Sequence, residues 1–225
     1  MKNLRRLLKG LPKKYVKSLK KVYYKIKINQ GSFKSPEAEF NIIDQFVKEG
    51  DRVIDIGANV GHYTLKLSSL VGKKGRVIAF EPVPETFEML SSNVGHAGKD
   101  NVTLINAAVS NDVTEAKFSV PNENLYQSHM DEAGDRSVMA FPLKSFLPHS
   151  WTLAFVKIDA EGCDENIIRS EIDVLNRFRP IVMSEVSQKI AESLANSMEN
   201  YTVLGFKWSH NRFLVPLEKV NLLKI

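Results

Sequence analysis

The stretch that most constrains this chain runs from Arg52 to His62. Five residues, Arg52-Val53-Ile54-Asp55-Ile56, are rich in β-branched side chains and read as a short strand. Gly57-Ala58-Asn59-Val60-Gly61 follows, and a helical pattern starts at His62 and runs to Leu70. A strand that breaks on a glycine turn into a helix is the opening half of a βαβ unit. The pattern then recurs. Arg76–Phe80 reads as a second strand, Pro84–Asn93 as a helix, and Asn101–Asn106 as a third strand. Leu153–Ile158 and Pro180–Val186 read as strands four and five, with a helix over Asn166–Arg177 between them. A helix over Gln188–Asn200 precedes a final strand pair, Tyr201–Phe206 and Arg212–Val215. Repeated βα units of this kind imply an α/β fold, a mostly parallel sheet with helices on both faces and right-handed crossovers.

The alternation fails over residues 111–142, where Pro121, Asn122, Asn124 and Gly134 separate two short strand-like pieces, Lys117–Val120 and Val138–Phe141. This predicts a hairpin insertion between strands three and four. Upstream, Phe40, Ile43, Phe46 and Val47 predict a helix from Glu37 to Val47 that ends at Gly50-Asp51. The boundaries expected are an N-terminal extension, 1–35, and one domain, 36–225.

Charge separates these two parts. The first acidic residue is Glu37, and 12 of the 31 basic residues precede it, so the overall +5 is a strongly basic tail on an acidic body. Within the tail, Leu4, Leu7, Leu8, Leu11, Tyr15, Leu19, Val22, Tyr23 and Ile26 follow helical spacing among lysines and arginines, with a break at Pro12. The apolar runs are too short and too charged to span a bilayer. Four readings remain open: packing on the acidic body, lying on an anionic membrane surface through residues 1–30, gripping RNA phosphates, or serving as an organelle transit peptide, which an Arg- and Lys-rich, acid-free start resembles. One cysteine, Cys163, allows no internal disulfide and gives no support for a zinc site, so a cytoplasmic protein is expected, peripheral to the membrane if the tail binds lipid.

The glycine turn lies where α/β folds bind nucleotide-like cofactors. A dinucleotide fingerprint would need glycine at 59 and 62, where Asn59 and His62 stand. Asp55 at the strand end would repel a pyrophosphate and suit a cationic ligand without phosphate, such as S-adenosylmethionine. Gly57, Ala58, Asn59 and Gly61 would let the backbone approach it. Glu81, at the end of strand two, can accept hydrogen bonds from ribose hydroxyls, Pro82 offers an adenine an apolar edge, and Asn106 and Ala107 at the end of strand three can admit and pair with the base.

These residues resemble the FkbM-type methyltransferases, a branch of the class I S-adenosylmethionine-dependent, Rossmann-like fold. The carrying blocks are Val53 to Thr64, Gly75 to Pro82, and Val156-Lys157-Ile158-Asp159-Ala160-Glu161-Gly162-Cys163-Asp164. The resemblance implies a seven-stranded sheet with an antiparallel last strand. It also implies methyl transfer, usually to a hydroxyl of a sugar or natural product. The family usually has Ala and Glu where Cys163 and Asp164 stand here, and a Leu-Asp pair where Leu143-Lys144 stands.

In-line substitution at a sulfonium gains most from positioning, and a hydroxyl acceptor gains from a base. Asp159 and Glu161, two apart at the end of strand four, would share a side of the strand. Asp159 is expected nearest the methionine part of the cofactor and Glu161 nearer the acceptor, with Glu185 at the end of strand five a third candidate. The rival readings for these two carboxylates are a helix cap for Glu161 and cofactor positioning alone for Asp159. His62 is expected to contact the cofactor or solvent rather than act as base. No metal is expected. A small molecule or glycan is the expected acceptor. Ribose 2'-O-methylation of RNA is the alternative, disfavoured as a nucleic-acid reading by the acidic body, and a non-catalytic membrane-associated module is the second.

Overall fold

A computed structural model describes residues 13–119, 129–130, 133–160, 162–221 and 223. The N-terminal extension forms helix α1 (Lys13–Asn29). The body then runs β1 (Arg52–Ile56), α2 (His62–Val71), β2 (Arg76–Phe80), α3 (Pro84–His96), β3 (Val102–Ile105), β4 (Ala108–Val109), β5 (Thr114–Ser119), β6 (His129–Met130) and β7 (Arg136–Phe141). It continues with β8 (Phe155–Ile158), α4 (Asp164–Ser170), α5 (Ile172–Phe178), β9 (Ile181–Ser184), α6 (Gln188–Ser197), β10 (Tyr201–Gly205), β11 (Arg212–Pro216) and α7 (Leu217–Val220).

Seven strands form one sheet in the order β10-β11-β9-β8-β1-β2-β3. All are parallel except β11, which runs antiparallel to both its neighbours. This is the seven-stranded, mostly parallel arrangement with an antiparallel last strand that the family resemblance implies. The interruption between strands three and four becomes a separate small sheet, β4-β7-β5-β6, whose centre is the antiparallel pair β5–β7.

The strands are buried on both faces, as a parallel sheet requires. Alternate residues feed two cores. Ile54, Ile56, Ile78, Phe80, Val156 and Val182 pack under α4, α5 and α6. Val53, Val77, Phe155, Ile181 and Met183 pack on the other face with Tyr63 and Leu67 of α2 and with Phe40, Ile43, Phe46 and Val47. That last segment is two short 3-10 turns, Ala38–Asn41 and Ile43–Gln45, and not the continuous helix expected over 37–47. Its apolar positions step by three, which a 3-10 turn also places on one side. The helix expected over 166–177 is likewise two, α4 and α5, divided at Glu171, whose buried carboxylate accepts the Leu143 N–H at 2.9 Å.

Helix α1 lies against α3. Tyr24 is 4% exposed and packs with Val60 and Met89, while Lys17 and Lys21 both pair with the Glu88 carboxylate, the latter at 2.7 Å. The described half of the basic tail therefore docks on the body.

Candidate active site

The carboxyl ends of β1, β2, β8 and β9 meet the two cavities that define the site. The turn after β1 is held by two backbone bonds, with Gly57 N–H and Ala58 N–H both donating to Phe80 O at 3.0 and 2.9 Å. Gly57 has φ +71, and a Cβ built there would sit 1.9 Å from the Asp159 carbonyl oxygen. Glycine is needed for both reasons. Asn59 also takes a positive φ, and its side-chain oxygen accepts the Val60 N–H at 2.8 Å, a local bond that suits asparagine in this region. Gly61, φ +97, caps α2, where a Cβ would meet Leu90 at 2.7 Å.

The smaller cavity lies over Glu81, Pro82, Ala107 and Phe118, with Gly57 and Asp159 at its edge. Glu81 is 3% exposed, and its two oxygens accept the Asn59 and Val83 N–H groups at 2.9 and 3.0 Å. Burial, offset in part by those two bonds, pushes its pKa up to about 7. Further donors at this carboxylate would favour its ionised form. Asn106 does not line this cavity. Its amide nitrogen donates to the Glu81 and Pro82 carbonyls at 2.8 and 2.9 Å, so it fixes the strand end on which Glu81 sits.

The larger cavity has a volume of about 480 Å³ and is shared between the body and the N-terminal segment. Asp159 and Glu185 enter it from β8 and β9, His62 and Tyr63 from α2, and Tyr23, Tyr24 and Lys27 from α1. Gly57, Asn59 and Asp159 line both cavities, so the two adjoin across the glycine turn. Phe33 packs on the His62 ring, with centres 4.2 Å apart and planes tilted by 34°. Burial first, and then the Lys157 cation, lower the His62 pKa to about 4, which leaves it neutral at physiological pH and a weak base. Tyr63 donates its hydroxyl to Glu37 at 2.8 Å.

Asp55 stands behind these linings, fully buried. It faces Lys157 across the β1–β8 pair, and its Oδ1 lies 3.5 Å from the lysine Nζ, while Oδ2 accepts the Thr64 hydroxyl at 2.6 Å. It lines neither cavity and meets the site through Lys157, whose ammonium it faces. Lys157 is the residue that sequence reasoning passed over. Its ammonium is 3.2 Å from Asp159 Oδ2 and 5.0 Å from the Tyr63 ring centre, at the floor of the larger cavity. Neighbouring carboxylates, Asp159 before Asp55, outweigh burial and raise its pKa, so it stays a cation. The available signal was a lysine in the otherwise apolar Phe155-Val156-Lys157-Ile158 run.

Asp164 was also missed. It accepts the Ala160 N–H at 2.7 Å, the Ser184 hydroxyl at 2.8 Å and the Glu185 N–H at 3.1 Å, and so ties the β8 loop to the β9 end. Glu185 itself has a raised pKa, from burial first and then from the Asp159 and Asp164 charges. Glu161 lies outside the described residues. Among the described residues, no group of three His, Cys, Asp or Glu side chains is arranged to hold a metal ion.

A close-approach glycine against the β8 end, a buried carboxylate at the β2 end and an apolar slot beside it suit a nucleoside carrying a cationic tail. Together with the sheet order they define a class I S-adenosylmethionine-dependent methyltransferase. Residues 55–207 match the family model described as the methyltransferase FkbM domain, and the chain belongs to that family. Among solved structures, it resembles a methyltransferase FkbM from Methylobacillus flagellatus (TM-score 0.54, 13% identity, 73% of this chain and 43% of that one). It also resembles a putative rRNA-methylase from Clostridium thermocellum (TM-score 0.53, 16% identity, 77% and 89%). These likenesses concern the fold. Among curated proteins it is similar to protein-L-isoaspartate O-methyltransferase 1 of Archaeoglobus fulgidus (36% identity over 59 residues, 26% of this chain and 27% of the relative). It is also similar to the enzyme of that name from Fervidobacterium nodosum (27% over 103 residues, 43% and 52%). The chain thus spans about a quarter to a half of the length of these relatives.

Proposed function

We propose that this methyltransferase methylates a hydroxyl oxygen of a polar small molecule or glycan. The observation that carries the reading is the larger cavity, which adjoins the cofactor crevice across Gly57 and Asp159 and carries the Glu185 carboxylate on its wall. When bound, S-adenosylmethionine supplies an electrophilic methyl group. Gly57, Asn59, Glu81, Pro82 and Ala107 would hold its nucleoside end, and Asp159 its amino-acid end. Lys157 fixes the Asp159 carboxylate from below, and Tyr63 and His62 exclude water from the adjoining space. Glu185, whose raised proton affinity suits a general base, takes the acceptor proton. Tyr23, Tyr24 and Phe33 give flat apolar walls of the kind a sugar ring or other cyclic acceptor stacks on.

The reading is tested by S-adenosylhomocysteine release with panels of sugars, lipid-linked glycans, cyclic natural products and RNA. A hydroxyl acceptor turned over by the wild type and lost on Glu185→Gln, with cofactor affinity unchanged, is the expected outcome. Turnover of RNA alone, or full activity in Glu185→Gln, overturns it.

A further inference from the structure

Helix α1 has an outward face of unusual character. Tyr15, Leu19, Val22 and Ile26 are 58%, 43%, 53% and 49% exposed, and they include half of the large exposed hydrophobic side chains among the described residues. At 3.6 residues per turn these four fall within an arc of about 60°, on the side opposite the buried Tyr24. A surface helix normally buries its apolar stripe and shows charge to water. This one docks through Tyr24, Lys17 and Lys21 and leaves a second apolar stripe outside. Lys25 flanks the stripe on one side and Lys27 on the other, Lys17 and Lys21 are turned to Glu88, and the helix has seven lysines and no acidic residue.

An apolar ridge flanked by lysine on a helix without acidic residues matches the interface of an anionic bilayer, with side chains at the acyl boundary and ammonium groups at the headgroups. We propose that the outward face of α1 docks this protein on anionic lipid. The occupant is set by charge. The body's Glu88 takes up Lys17 and Lys21 on the docked side, the apolar stripe faces away from it, and no helix among the described residues is long and apolar enough to cross a membrane.

The full chain, co-sedimented with vesicles of phosphatidylcholine plus phosphatidylglycerol, is expected to bind, and raised salt should weaken the binding. Leu19→Glu/Ile26→Glu should lower the partition coefficient at least about tenfold, with cofactor titration and the circular-dichroism melt unchanged. Equal binding to pure phosphatidylcholine overturns the proposal, as does no binding at all. Undiminished binding by the double variant also overturns it, because residues 1–12 would then carry the contact. A dimer in light scattering that the double variant splits would assign the stripe to a second copy of the chain instead.

Discussion

Gly57→Ala isolates the contact on which the crevice is built. Two costs add. At φ +71 an L-residue loses about 1–2 kcal/mol relative to glycine. The new Cβ would also lie 1.9 Å from Asp159 O and 2.8 Å from its carbonyl carbon. Neither is a flexible side chain, so the β8 end must move, an overpacking cost of about 1–3 kcal/mol. Gly98→Ala is the control, with φ +61 and nothing within 4 Å of its Cβ, so it bears only the conformational cost. In urea titrations Gly57→Ala should therefore lose more than Gly98→Ala by about 1–3 kcal/mol. Calorimetry should show weakened S-adenosylmethionine binding in the first variant alone, because Asp159 lines both cavities and carries the Lys157 ion pair. Equal losses in the two variants, with cofactor affinity intact in both, would refute the close packing of the glycine turn on the β8 end.

Lys157→Met leaves Asp55 buried without its cation and should destabilise the fold by about 3–5 kcal/mol in denaturant melts, with part recovered by adding Asp55→Asn. Glu171 has its pKa pushed up to about 7, chiefly by burial, so the fold favours its protonated form. The stability this gives is complete below the unfolded value near 4.5 and is lost as pH rises through about 7. Glu171→Gln, which keeps an acceptor for Leu143 N–H, should accordingly stabilise the protein by about 1–3 kcal/mol at pH 8 and by little at pH 4, read from melts at the two values. Tyr24→Ala should cost about 3 kcal/mol of the α1 docking and expose residues 13–29 to limited proteolysis, at a rate the wild type does not show.

The sheet was legible because its strands obey simple rules. Val53-Ile54-Asp55-Ile56 and Val77-Ile78-Ala79-Phe80 are short apolar runs bounded by glycine or charge, and their order with the intervening helices leaves one plausible layer arrangement. The segment around Phe40 was legible as core but not as 3-10 turns, because a step of three residues serves both geometries. The break at Glu171 was not legible, since it depends on a bond to Leu143, 28 residues away. The site followed the same division. Gly57, Glu81 and Asp159 were marked by their positions at strand ends. Asp55 was marked too, yet its partner Lys157 lies on a strand about 100 residues downstream, so the pairing needed the β1–β8 register. The double role of α1, docked on one side and apolar on the other, also needed the packed structure, because spacing alone gives one amphipathic helix and no direction for its faces.

The central claim is that the crevice over the glycine turn binds S-adenosylmethionine with Glu81 at its ribose end. Calorimetric titration of the full chain with S-adenosylmethionine, beside Glu81→Ala, tests it most directly. The expected result is a saturable one-to-one heat for the wild type and a loss of affinity of at least about tenfold in the variant, as for removal of a hydrogen-bonding carboxylate, with its circular-dichroism spectrum retained. No heat with the wild type, or equal affinity in the variant, would contradict the account.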